Sequence, residues 1–164
     1  MDSNRAGFAL TVGIIPCIGK KTQKYISKPN LQEATPFEYL SRLQLFNLTF
    51  QDSIELEGVI IEPGKEAFVT SQPFIQGEPA SERDVAEFMA RRSFAPVPGV
   101  SLGKGNTVSY FRASDGVAVF DTHGQNFLVS GSNIVPIDAL IITASDELET
   151  YLTLTADERE AEGV

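Results

Sequence analysis

Short apolar runs separated by polar, glycine- or proline-bearing breaks recur along the chain, and the period of each run predicts its element. Phe8 to Ile15 is apolar and rich in β-branched residues, which predicts a strand ended by Pro16. A helix is expected further on: Thr35 reads as its N-cap, Pro36 occupies the first turn, and Glu38 sits three residues after the cap, completing a capping box. Phe37, Leu40, Leu43 and Phe46 or Asn47 recur at helical spacing and predict the face that packs on a sheet. After Asp52, I-E-L-E-G-V-I-I-E predicts a strand, Pro63-Gly64 its turn, and Glu66 to Ser71 its hairpin partner.

The second half repeats this alternation. Ser81 to Asp84 is a capping-box-like start, and Val85, Phe88 and Met89 predict the inward face of a helix ending near Arg92. Pro96 to Gly99 is expected to break the chain, and V-S-L-G-K-G-N-T-V-S-Y-F-R to form a hairpin turning at Gly103 to Asn106. Its G-K-G-N-T lacks the G-x-x-x-x-G-K-[ST] pattern of a phosphate loop and opens no helix. Gly116 to Phe120 and Phe127 to Val129 read as buried strands, with D-T-H-G-Q-N as a loop held between them. A second hairpin turn at Ser130 to Asn133 leads into Ile134 to Ile137, after which Asp138 emerges beside that loop. Beyond Ile142 there is room for a short helix and an acidic tail.

Composition narrows the class. A length of 164 residues suits one domain, and 42% apolar with 21% charged residues describes a globular protein. The net charge of -9 argues against a nucleic-acid partner, because phosphate binding needs clustered Lys and Arg, and thirteen are spread along the chain. Cys17 stands alone and cannot form an internal disulfide, no apolar run approaches a membrane span, and M-D-S-N-R-A-G lacks a signal-peptide pattern. The expectation is a cytoplasmic protein with no membrane partner.

The chemistry concentrates between Ser114 and Ile142, where Asp121, Asn126 and Asp138 stand at the ends of apolar runs. Taken singly, each acid could merely end a strand and the amide could cap a bend. Taken together, an Asp, an Asn five residues on, and an Asp about a dozen residues later behind a strand resemble the catalytic and metal-binding loops of protein kinases and their small-molecule relatives. With K-P-N-L-Q-E-A-T-P-F-E-Y-L-S-R-L, F-V-T-S-Q-P-F-I-Q-G-E-P-A-S, D-T-H-G-Q-N-F-L and I-V-P-I-D in order, roughly residues 24 to 142 resemble the kinase-like domain found in polyvalent proteins of mobile elements and in related short bacterial proteins.

That resemblance implies an α+β, reduced protein-kinase-like fold: a small antiparallel sheet with one packed helix, and a minimal second lobe of one helix and β-hairpins. It divides the chain into a small lobe over 1–71, a hinge over 72–77, a reduced large lobe over 78–150 and an acidic tail over 151–164. It implies ATP and magnesium as ligands, with Asp121 orienting or deprotonating the attacking hydroxyl and Asn126 and Asp138 holding the metal. Lys24 or Lys28 would meet the phosphates. Gln72 to Ile75, including Phe74, would lie along the adenine edge, with Pro73 keeping the segment extended. Glu38 would be either a cap or the glutamate that pairs with the phosphate lysine. His123 is read as structural, bonding loop carbonyls or Asp138. The chain departs from typical kinases in having no G-x-G-x-x-G and no room for a large helical bundle or an A-P-E-like anchor. The substrate would then be small, or brought by another chain. Two alternatives are a non-catalytic interaction module on the same fold and a hydrolase using Asp121, His123 and Asp138 as transition-metal ligands.

Overall fold

The computed structural model describes residues 8–14, 36–61, 67–102, 107–154 and 158. The chain divides into two compact units, one holding the described residues up to Ile75 and the other those from Gln76 onward.

In the first unit, strands β1 (Phe8–Ile14), β2 (Glu55–Ile60) and β3 (Ala67–Pro73) form an antiparallel sheet in the order β1-β3-β2, accompanied by helix α1 (Pro36–Phe50). β2 and β3 pair as the alternating runs predicted, with a register shift between Leu56 and Gly58. The helix is where expected, but Phe37 does not join its buried face. Phe37 is 79% exposed, whereas Phe46 and Phe50 are buried and Tyr39 stacks on Phe68 of β3 at 5.6 Å. Leu43 and Phe46 are on the inward side as predicted, while Tyr39, whose ring finds an aromatic partner on the sheet, stands where Phe37 was expected. The side chain of Asn47 accepts from the Ile54 N–H at 2.9 Å and donates to the Ile54 carbonyl at 2.8 Å, tying the end of α1 to the entry of β2. Thr35, and with it the proposed capping box at Glu38, lies outside the described residues.

The second unit contains two sheets. One has the order β10-β7-β6-β5, made of β5 (Ala95–Val97), β6 (Ser109–Arg112), β7 (Val117–Phe120) and β10 (Leu140–Thr143). The other has the order β4-β8-β9, made of β4 (Glu78–Pro79), β8 (Phe127–Ser130) and β9 (Asn133–Pro136). Helix α2 (Glu82–Ala90) begins with the expected capping box between Ser81 and Asp84 and buries Val85, Phe88 and Met89. Phe88 meets Phe127 of β8 edge to face at 5.9 Å. Helix α3 (Asp146–Thr153) begins at the N-cap Ser145. Leu148 and Leu152 on this helix join Val97, Leu102, Phe111, Ala118 and Phe120 in one core cluster. Helix α3 thus runs past residue 150, and among the described residues the second unit holds α3 beside the expected α2.

Two local expectations change. Pro96 does not break the chain; it sits in β5, opposite Tyr110, at the edge of its sheet, where a residue without an N–H can remain if that side of the strand faces no partner. The hairpin into β6 accordingly has its first arm at Ala95–Val97 rather than after Val100, and its tip at 103–106 lies outside the described residues. All four residues of β7 are buried, which accounts for its unbroken apolar run.

Candidate active-site loop

The loop predicted between two strands joins β7 of one sheet to β8 of the other. Asp121 ends β7 with φ of 53°, a left-handed conformation that Asp tolerates better than most side chains. Its N–H donates to the Leu102 carbonyl at 3.1 Å. Thr122 is buried, and its hydroxyl donates to the Val108 carbonyl. Residues Gly124–Asn126 then make one 3-10 turn, with the Asn126 N–H donating to the His123 carbonyl at 2.9 Å. The loop was expected to hold no helix; this single turn brings Asn126 back over Asp121.

Gly124 explains how the loop is seated. A β-carbon there would stand 2.0 Å from the Ala80 carbonyl oxygen, so the position admits only glycine without displacing backbone. The Ala80 N–H donates to the carbonyls of both Gly124, at 3.2 Å, and Phe127, at 2.8 Å. Ala80 immediately precedes the Ser81 cap of α2, so the helix start and the loop share one anchor.

Asn126 is 7% exposed and links the acids. Its amide Nδ2 donates to the Asp121 carbonyl at 2.8 Å and lies 3.3 Å from Asp121 Oδ2. Its own carbonyl accepts from the Ile137 N–H at 2.8 Å, which draws the residue before Asp138 to the loop. Burial and the neighbouring Asp121 charge push the Asp138 carboxyl above the ordinary carboxylate range, while His123 opposes the shift. Asp121, Asn126 and Asp138 are therefore gathered in one place. His123 Nε2 lies 3.5 Å from Asp121 Oδ1, and its Nδ1 is buried with no hydrogen-bond partner among the described residues. The expected bond from His123 to a loop carbonyl or to Asp138 is replaced by a contact with Asp121.

The donor set suits a hard divalent cation. Burial and then the Asp121 charge raise the Asp138 pKa, and an amide stands beside Asp121, so the donors gathered here are oxygens of the kind hard cations prefer. Among the described residues no group of three His, Cys, Asp or Glu is arranged to hold a metal ion.

Of the other predicted residues, Gln72, Phe74 and Glu38 belong to the first unit. Gln72 is in β3, its backbone opposite Ala9 and its side-chain amide donating to Asp52. Phe74 follows the strand and is 66% exposed. Glu38 is in the first turn of α1. Lys24 and Lys28 lie outside the described residues. The sequence reading missed Gly124 as a seat and His123 as the neighbour of Asp121; the glycine inside D-T-H-G-Q-N was the available signal for the first.

Residues 20–145 match the family described as Serine/Threonine/Tyrosine Kinase found in polyvalent proteins. No curated protein and no solved structure matches the chain.

Proposed function

The chain belongs to this family of kinases found in polyvalent proteins, and on that premise we propose that it transfers the γ-phosphoryl group of ATP to a hydroxyl acceptor with magnesium. The observation that carries the reading is the Asn126 amide bound to Asp121 with Asp138 beside it.

In this reading Asp121 orients the acceptor hydroxyl and receives its proton. The hydroxyl oxygen forms a bond to the γ-phosphorus, the bond from that phosphorus to the β,γ-bridging oxygen breaks, and ADP leaves with the electron pair. Asn126 and Asp138 are the residues that would hold magnesium, which would supply charge neutralisation to the phosphates. Lys24 or Lys28 meets the phosphates, and Gln72 and Phe74 lie along the adenine edge, as the family resemblance implies. The Asn126 amide donates through nitrogen to Asp121, so its oxygen is the atom left for a cation.

A second reading, a non-catalytic module that kept the fold, is favoured by the missing G-x-G-x-x-G. Calorimetric titration of ATP with and without magnesium separates the two. Magnesium-dependent binding that is lost in Asp138→Ala supports the kinase reading, and no binding in either protein supports the module. Asp121→Asn keeps a residue that tolerates the left-handed backbone. It is expected to bind ATP normally and abolish transfer, and retained transfer would remove Asp121 from its role.

A further inference from the structure

His123 is the one histidine in the sequence, and the proposed chemistry leaves it unused. Its position is closely determined. Thr122 before it is buried and bonded to the Val108 carbonyl, and Gly124 after it is seated on Ala80. The imidazole side chain is 18% exposed, with Nε2 3.5 Å from Asp121 Oδ1 and Nδ1 buried without a partner among the described residues. On the other side of the same carboxylate, Asn126 Nδ2 is 3.3 Å from Oδ2.

A neutral imidazole has a single N–H, and these contacts decide where it goes. Placed on Nδ1, it would be a buried donor with no partner among the described residues, and the bare Nε2 lone pair would face a carboxylate oxygen. Placed on Nε2, it points at Asp121, and the buried atom is only an unused acceptor. We infer that His123 is a positioning residue for Asp121: its Nε2–H holds one carboxylate oxygen while the Asn126 amide holds the other.

The clamp matters because Asp121 must present a lone pair to a hydroxyl in one orientation. Rotation of the carboxyl about its Cβ–Cγ bond breaks both contacts at once, so the two donors together select the orientation. The inference rests on the reading of Asp121 as the group that meets the acceptor hydroxyl.

A single histidine makes the test direct. Long-range proton–nitrogen correlation spectra of the uniformly nitrogen-15-labelled protein contain one set of imidazole signals, without need for assignment. The expected pattern is the Nε2-protonated tautomer, with the Nε2 signal shifting in Asp121→Asn. The Nδ1-protonated tautomer, an averaged pattern, or no response to Asp121→Asn overturns the clamp.

Kinetics supply the second arm, using ATP, magnesium and a degenerate mixture of Ser-, Thr- and Tyr-containing peptides. His123→Ala is expected to lower kcat about tenfold with the KM for ATP within about twofold. His123→Gln, which retains an N–H donor, should recover part of that loss, as a merely structural role would not require. An unchanged kcat in His123→Ala overturns the proposal. Absence of transfer in the unaltered protein sinks the kinase reading itself. The tautomer is read separately: an Nε2–H form that responds to Asp121→Asn upholds the clamp, and an Nδ1–H form overturns it even in an active enzyme.

Discussion

The carbonyl oxygen of Ala80 stands 2.0 Å from where residue 124 would carry a β-carbon, and glycine at 124 is what lets the two backbones meet. Gly124→Ala forces either the loop or the start of α2 to move, because the obstructing atom is backbone and cannot swing aside. The variant is expected to lose about 2–3 kcal/mol of stability, the usual scale of overpacking a closed site. Urea unfolding measures it. Phosphoryl transfer should fall further than the folded fraction does, since Asp121 and Asn126 flank the displaced turn. Wild-type stability in this variant would show that the approach of Ala80 is not part of the native fold.

Asp138 gives a prediction with a definite sign. Its carboxyl has a raised pKa in the folded protein, first from burial and then from Asp121. The folded state therefore holds the proton more tightly than the unfolded chain, and stability falls as pH rises through the folded pKa. Above the folded pKa the full penalty is present, although the residue is exposed enough overall to keep it below about 1 kcal/mol. Asp138→Asn should accordingly raise the unfolding midpoint slightly at pH 7 and leave it unchanged at pH 3. Added magnesium should stabilise the unaltered protein more than the variant. A lower midpoint for the variant at pH 7 without metal would contradict the crowding of the two carboxylates.

Legibility in the sequence followed the range of the interactions. The capping box at Ser81 and Asp84 depends on four neighbouring residues and was plain, as were the four apolar residues of β7 and the turn before β9. The grouping of Asp121, Asn126 and Asp138 was legible through spacing, because a short loop and one hairpin can hardly separate them. The place of Tyr39 on the inward side of α1 was not, since its stacking on Phe68 is decided by tertiary packing rather than by the helical period. Pro96 in β5 was hidden for a related reason: whether a proline breaks a strand depends on whether that strand is at an edge. The seat of Gly124 on Ala80 and the pairing of His123 with Asp121 are contacts of particular atoms, to which no periodicity corresponds.

Arg112 and Asp115 offer a way to separate stability from chemistry. The Arg112 guanidinium donates to both Asp115 oxygens at 2.8 Å, lies 4.3 Å from the Phe94 ring centre, and has a side chain only 17% exposed. That hydrogen bonding is the largest cause holding the Asp115 carboxyl below the ordinary range. A lowered folded pKa contributes stability present above the unfolded value and lost as pH falls through the folded one, so the contribution fades below about pH 4. Asp115→Asn should cost about 0.5–1 kcal/mol at pH 7, a modest amount because Asp115 is half exposed. The pair sits at the end of β7 opposite Asp121, so transfer activity should be unchanged. Thermal unfolding of the variant and the unaltered protein between pH 3 and pH 7 should converge at the acid end.

Asn126 allows the sharpest substitution, because Asp has nearly its shape. Asn126→Asp removes the only donors of that side chain and places a third carboxylate, buried, beside Asp121 and Asp138. Both burial and like charge raise the pKa of the new group, so the variant's deficit should be largest at neutral pH and shrink as acid neutralises it. Asn126→Ala loses the same hydrogen bonds without adding charge, and its deficit, about 1–3 kcal/mol, should vary little with pH. Denaturant unfolding of both variants at pH 7.5 and pH 5 distinguishes lost hydrogen bonds from added charge. Parallel behaviour of the two would mean that the three side chains do not share a field, and the site would have to be redrawn without Asp138. A deficit that shrinks at pH 5 in Asn126→Asp alone would show that the added charge, and not the lost hydrogen bonds, destabilises that variant.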